Sequence, residues 1–88
     1  LEAAVLWDAD KLSKLGVEAL AYSLSGPYVL GKSLAERRRD LVEYATTVLA
    51  RSVASMNTAP ARRLAQQRYA AMTAALETWA QEERTGDA

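Results

Sequence analysis

Apolar and polar positions recur with helical spacing along nearly the whole chain. Val5, Ala9, Leu12 and Gly16 follow one another at intervals of four, three and four, the signature of one helix face, and predict a first helix over about Glu2 to Leu15. Gly16 reads either as the end of that helix or as a point of close contact. Residues 17–24 predict a second, short helix that closes at Ser25-Gly26-Pro27, a cluster of strong breakers. Residues 28–31 read as a connector.

The third helix carries the clearest start signal. Ser33 precedes Glu36 by three positions, the capping-box spacing in which each side chain covers the other residue's backbone amide. Leu34, Leu41, Ala45, Val48 and Leu49 trace its apolar stripe, Val53 and Met56 extend it, and the predicted span is 33–56. Pro60 suits the first turn of a fourth helix, because its missing N–H has no intrahelical partner there anyway. Thr58 or Ala59 would be the cap. Leu64, Met72, Leu76 and Trp79 line one face over 60–83, with Ala61, Ala65, Tyr69 and Ala75 beside them. Such a helix runs roughly 35 Å at 1.5 Å per residue, long enough to span a small domain. Thr85 to Ala88 reads as a frayed tail. No segment shows period-two alternation of β-branched residues. The fold class is therefore all-α, a single helical bundle.

Composition narrows the chemistry. The 88 residues contain no cysteine, which excludes disulfides, zinc–thiolate sites and thiol nucleophiles, and no histidine, which removes the commonest general base and metal ligand. Eleven basic and eleven acidic residues cancel, so no overall field draws the chain to nucleic acid. No apolar run approaches a membrane span, and the lack of cysteine and of a targeting signal favours a cytoplasmic location. The chain opens on Leu1 rather than methionine, which reads as a missing N-terminal portion.

Three charged clusters invite a functional reading. In Asp8-Ala9-Asp10-Lys11-Leu12 the two carboxylates lie two positions apart, about 200° around a helix, so they cannot grip one ion together. Asp8 falls nearer the apolar stripe and Asp10 on the opposite side; either is a metal-ligand candidate or a surface carboxylate, and Asp8 is also a candidate helix cap. Arg37-Arg38-Arg39 fan around most of the helix and read as a solvated turn, with Glu36 and Asp40 near enough to pair. The third is Arg62-Arg63 with Arg68 and Tyr69: Arg68 falls on the apolar stripe between Leu64 and Met72, where a structural ion pair is expected ahead of a ligand contact. Trp7, Trp79, Tyr22, Tyr28 and Tyr44 are expected in the core or at its rim.

Residues 5–16, Val-Leu-Trp-Asp-Ala-Asp-Lys-Leu-Ser-Lys-Leu-Gly, resemble the last motif of the HD-domain superfamily of metal-dependent phosphohydrolases, in the branch reading D-A-D-K/R-L-D-x-L/I-G. Asn57-Thr58, Ala61-Arg62, Leu64-Ala65, Arg68, Met72 and Glu82 are similar to the closing helix of that branch, N-T-x-x-A-R-x-x-A-x-x-R-x-x-x-M. The two matches stand in the family's order, about fifty residues apart. The resemblance implies an all-α phosphohydrolase holding one or two divalent ions (manganese, magnesium, iron or similar) through a histidine, a His-Asp pair and a final aspartate. That aspartate corresponds to Asp10, with Asp8 behind it as a supporting residue or cap, and Lys11 either facing a substrate phosphate or exposed at the surface. The substrate would be a small phosphorylated molecule such as a nucleotide.

The chain also departs from the family. It lacks the histidine motifs, so the 88 residues by themselves are expected to be inactive. Ser13 stands in place of the motif's usual aspartate, and residues 17–25 lack a G-I-x-R continuation. A competing expectation is a non-catalytic helical module that docks a partner or a second copy through the small-residue face Ala61, Ala65, Ala75 and Ala80.

Overall fold

The computed structural model describes residues 1–86, the side chain of Tyr28 excepted. The described residues form an all-α bundle: α1 (Glu2–Leu12), α2 (Val17–Leu24), a 3-10 turn (Pro27–Val29), α3 (Leu34–Tyr44), a π-helical segment (Ala45–Leu49), α4 (Ala50–Ala54) and α5 (Ala59–Gly86). α3, the π segment and α4 run on as one uninterrupted rod, so four helical bodies are packed together. Their number and order match the sequence expectation. The last helix continues to Gly86, past the tail expected from Thr85; the remainder of that tail lies outside the described residues. At 28 residues α5 is roughly 42 Å long, and the other helices lie against it.

Local signals explain most of the boundaries. Ser33 Oγ accepts the Glu36 N–H at 3.1 Å while Glu36 Oε1 accepts the Ser33 N–H at 3.4 Å, completing the capping box. Thr58 Oγ1 accepts the Ala61 N–H at 3.3 Å and starts α5. α1 ends earlier than expected, at Leu12. Arg68 Nη1 donates to the Leu12 carbonyl at 3.0 Å, so this arginine satisfies a helix C-terminus rather than the expected ion pair.

Gly16 does not end the first helix, which closes at Leu12; it is the entry to α2, and the Arg68 stem packs beside it, as the close-contact reading had it. Its φ of 105° and ψ of 178° lie in a region that L side chains avoid, and the Arg68 stem passes 3.5 Å from where a Cβ would stand. That distance is ordinary packing, so the penalty of a side chain here is backbone strain. Gly16→Ala is expected to cost about 1–3 kcal/mol in urea denaturation. An unchanged midpoint would contradict the assigned backbone conformation.

The core comprises Leu15, Leu41, Ala45, Leu49, Met56, Ala61, Ala65, Met72 and Leu76, with Leu49 and Met72 fully enclosed. Two consecutive threonines accompany the π segment. Thr46 Oγ1 donates to the carbonyls of Val42 and Glu43 at 2.9 and 3.2 Å, and Thr47 Oγ1 to that of Glu43 at 2.7 Å. Hydroxyls that draw on these carbonyls compete with the α-helical ladder, and the wider turn results. Within it Ala45 and Leu49 are buried and beyond it Ser52 and Met56, while Val48, expected on the stripe, is exposed, as is Leu34. Tyr69 OH locks the segment by donating to the Ala45 carbonyl at 3.0 Å.

Several expectations about α1 and the aromatics are corrected. Leu12 packs inward as expected, but the rest of the inward face of α1 is Asp8 with half-buried Ala4 and Lys11, one residue before the expected Val5 and Ala9; Val5 is 52% exposed. Tyr22 is 78% exposed and Trp7 46%, and Tyr44 also faces outward, whereas Trp79 packs at the core's edge as expected. The Tyr28 side chain lies outside the described residues. Arg38 does not pair within its own helix but reaches Glu83 on α5, Nε to Oε2 at 2.8 Å, and Asp40 pairs with Lys32 at 2.6 Å.

Candidate functional site

Asp8 and Asp10 end in opposite environments, because residues two apart on α1 point to opposite sides. Asp8 turns inward and is only 4% exposed. Its carboxylate sits over the start of α5: Oδ1 accepts the Asn57 backbone N–H at 2.8 Å and Nδ2 at 3.1 Å, and Oδ2 accepts the Thr58 N–H at 3.1 Å and hydroxyl at 3.0 Å. Asn57 Nδ2 also reaches the Ala4 carbonyl at 3.4 Å. Four donors saturate both oxygens. The Asn57 amide above all, with the Thr58 hydroxyl and amide and the Asn57 side chain, holds Asp8 below the usual aspartate pKa against the opposing effect of burial. Asp8 is therefore a cap, and the helix it caps is α5 rather than its own.

Asp10 turns outward, its side chain 58% exposed. Oδ2 receives Lys14 Nζ at 3.3 Å and Lys11 Nζ at 3.5 Å. The Lys14 ammonium first, then Lys11, holds its carboxyl below the ordinary value. Oδ1 takes no protein hydrogen bond among the described residues. Ser13 Oγ, standing where the motif's usual aspartate would be, donates to the Asp10 carbonyl at 2.6 Å.

Lys11 is held from a second side. Its ammonium lies 4.4 Å from the centroid of the Trp7 ring. Trp7 Nε1 in turn donates to Ser55 Oγ at 3.0 Å, and Ser55 Oγ donates to the Ser52 carbonyl at 2.8 Å. Trp7 and Ser55 were missed as site residues; the i, i+4 spacing of Trp7 and Lys11 on one helix is the signal that points to their stacking. Beside Lys14, an open groove of about 1090 Å³ runs between α2 and α3, bordered by Lys32, Arg37, Tyr22 and Tyr44. Arg62, Arg63 and Arg39 do not join this site: Arg62 donates to the carbonyls of Met56 and Asn57 at 3.4 and 3.3 Å, and the other two lie exposed.

A divalent ion bound by protein oxygens needs several converging ligands. Among the described residues no three carboxylates, histidines or cysteines come together to hold one. Asp8 has no free lone pair for a metal. Asp10 has an exposed carboxylate with one oxygen open, and the described residues do not form a complete metal centre. No protein-family model, curated protein or solved structure matches the chain. No helix among the described residues is long and apolar enough to cross a membrane.

Proposed function

We propose that this chain is the C-terminal part of a divalent-metal-dependent phosphohydrolase of the HD type, to which it supplies the final aspartate ligand, Asp10. The observation that carries this reading is the fastening of its two motif regions to each other. Asp8 of the D-A-D motif takes four hydrogen bonds from Asn57 and Thr58, and Arg68 of the closing helix binds back to the Leu12 carbonyl. Residues matched independently at the two ends of the chain thus serve one local arrangement.

The geometry supports a division of labour among these residues. Asp8 and Arg68 anchor α1 against α5 at its middle and at its end, which fixes the outward direction of Asp10. Asp10 Oδ1 is the open ligand atom, while Lys11 and Lys14 crowd Oδ2 with positive charge. Those ammonium groups offset the carboxylate before a metal arrives and offer a phosphate two cationic contacts. A bound divalent ion supplies polarisation of the phosphoryl oxygen and an activated water.

The test uses the full-length natural protein. Hydrolysis of nucleoside monophosphates, p-nitrophenyl phosphate and bis-p-nitrophenyl phosphate is measured before and after chelation, with metal content read by mass spectrometry. Chelation is expected to remove activity, and added manganese or magnesium to restore it; residues 1–88 alone are expected to show none. Hydrolysis indifferent to chelation, or no hydrolysis with any metal supplied, would overturn the reading.

A further inference from the structure

We infer that Trp7 is the positioning residue of this site: its indole, tied to Ser55, holds the Lys11 ammonium against the Asp10 carboxylate, so that cation and carboxylate are presented together to a phosphate group. The inference rests on the phosphohydrolase reading for its ligand, but its geometry stands by itself.

Lysine carries four rotatable stem bonds, and an exposed ammonium normally samples many positions. Lys11 is restrained on two sides. The Trp7 face lies 4.4 Å from the ammonium, within the range of a cation–π contact, and Asp10 Oδ2 lies 3.5 Å away. Its side chain is accordingly only 21% exposed, against 45% for Lys14, whose one partner among the described residues is Asp10. The ring is restrained as well. Its N–H bond to Ser55 fixes it to the turn after α4, and Ser55 is itself tied to Ser52.

A chain of contacts therefore runs from the end of α4 through Ser55 and Trp7 to Lys11 and Asp10. Trp7 is not there to fill the core, since nearly half of it is exposed. A tryptophan left at the surface with its polar edge anchored and its face covered by a lysine is placed to hold that lysine. Pre-ordering the ammonium reduces the entropy lost when an anion binds.

The experiment compares wild type, Trp7→Phe, Trp7→Leu and Ser55→Ala in the full-length protein, with inorganic phosphate as the probe. By NMR, the ε-methylene protons of Lys11 are expected upfield in wild type from the ring current, less so in Trp7→Phe and Ser55→Ala, and at ordinary positions in Trp7→Leu. Phosphate titrated against these resonances is expected to bind about two- to fivefold more weakly to Trp7→Leu, the loss that corresponds to one exposed cation–π contact. The KM for p-nitrophenyl phosphate should rise by a similar factor with kcat and metal content unchanged, a split that simple loss of fold would not give. Ser55→Ala, which leaves the ring in place, keeps the test open should Trp7→Leu fold poorly.

A Lys11 signal without ring-current shift in wild type would overturn the inference, as would phosphate affinity equal in wild type and Trp7→Leu. Absence of metal-dependent hydrolysis in wild type would instead overturn the phosphohydrolase reading, with the phosphate titration still deciding the role of Trp7.

Discussion

Asp8→Ala is expected to lower the thermal midpoint by about 10 °C or more, the largest stability loss of any single carboxylate in the chain. The substitution takes the acceptor away from the part-buried Asn57 and Thr58 donors, and it removes negative charge from the N-terminus of the longest helix. It also unfastens α1 from α5, since the Asn57 side chain bridges Asp8 and Ala4. Asp8→Asn keeps the shape but turns an amide toward donors, so it is expected to fall between wild type and alanine. A midpoint within 2–3 °C of wild type for Asp8→Ala, below the shift that a kilocalorie produces in a domain this size, would show that the four hydrogen bonds contribute little.

The pH dependence follows in sign from the same contacts. Asp8 in the folded chain titrates below the 3.8 of an ordinary aspartate, so the folded state favours the ionised form. That stability is fully present above the ordinary value and is lost as pH falls from about 4 through the lower folded value. Urea midpoints are therefore expected to be level near neutrality and to decline in acid, with the gap between wild type and Asp8→Asn narrowing over that range. Asp10 is held low by Lys14 and Lys11 and adds a slope of the same sign. Asp10→Asn removes that share and separates the two. A gap that stays constant down to pH 2 would rule out a depressed Asp8.

Asp10→Ala is expected to do the reverse. In the full-length protein it should reduce metal-dependent hydrolysis by at least about a hundredfold, since loss of a supporting residue around a metal already costs about 10–100-fold and loss of a ligand more. Stability should scarcely move. Its ion pairs with Lys11 and Lys14 are made by a carboxylate that is itself 58% exposed, and such pairs contribute little. The contrast between two aspartates two positions apart is the sharpest check on the assignment. Wild-type activity in Asp10→Ala would remove Asp10 from the site, and a large loss of helical signal would make it structural.

Much of the bundle was legible along the chain. Ser33 and Glu36, Ser25-Gly26-Pro27 and Pro60 mark helix boundaries through backbone chemistry confined to a few residues, and each stands where local reasoning put it. The register of faces was less so. Val5 and Ala9 look inward by hydrophobic spacing, yet the residue that turns inward is Asp8. Periodicity counts apolar side chains, and a buried carboxylate satisfied by amides about fifty residues away is invisible to it. The π segment misleads in a similar way: two threonines widen one turn, and within it Leu49 turns inward while Val48 is left exposed.

Arg68 and the aspartate pair show where local information ends. The sequence by itself determined that Arg68 falls on an apolar stripe and needs a partner, and that Asp8 and Asp10 face opposite ways. It also determined the all-α class, through helical periodicity and helix-capping signals that act within a turn or two. Only the tertiary structure decided that Arg68 closes α1 at Leu12, that Asp8 caps α5, and that Asp10 is left outside with Lys11, which Trp7 and Ser55 hold in place. Those outcomes depend on which donors and acceptors meet across helices, and spacing along one helix carries no record of what lies opposite it.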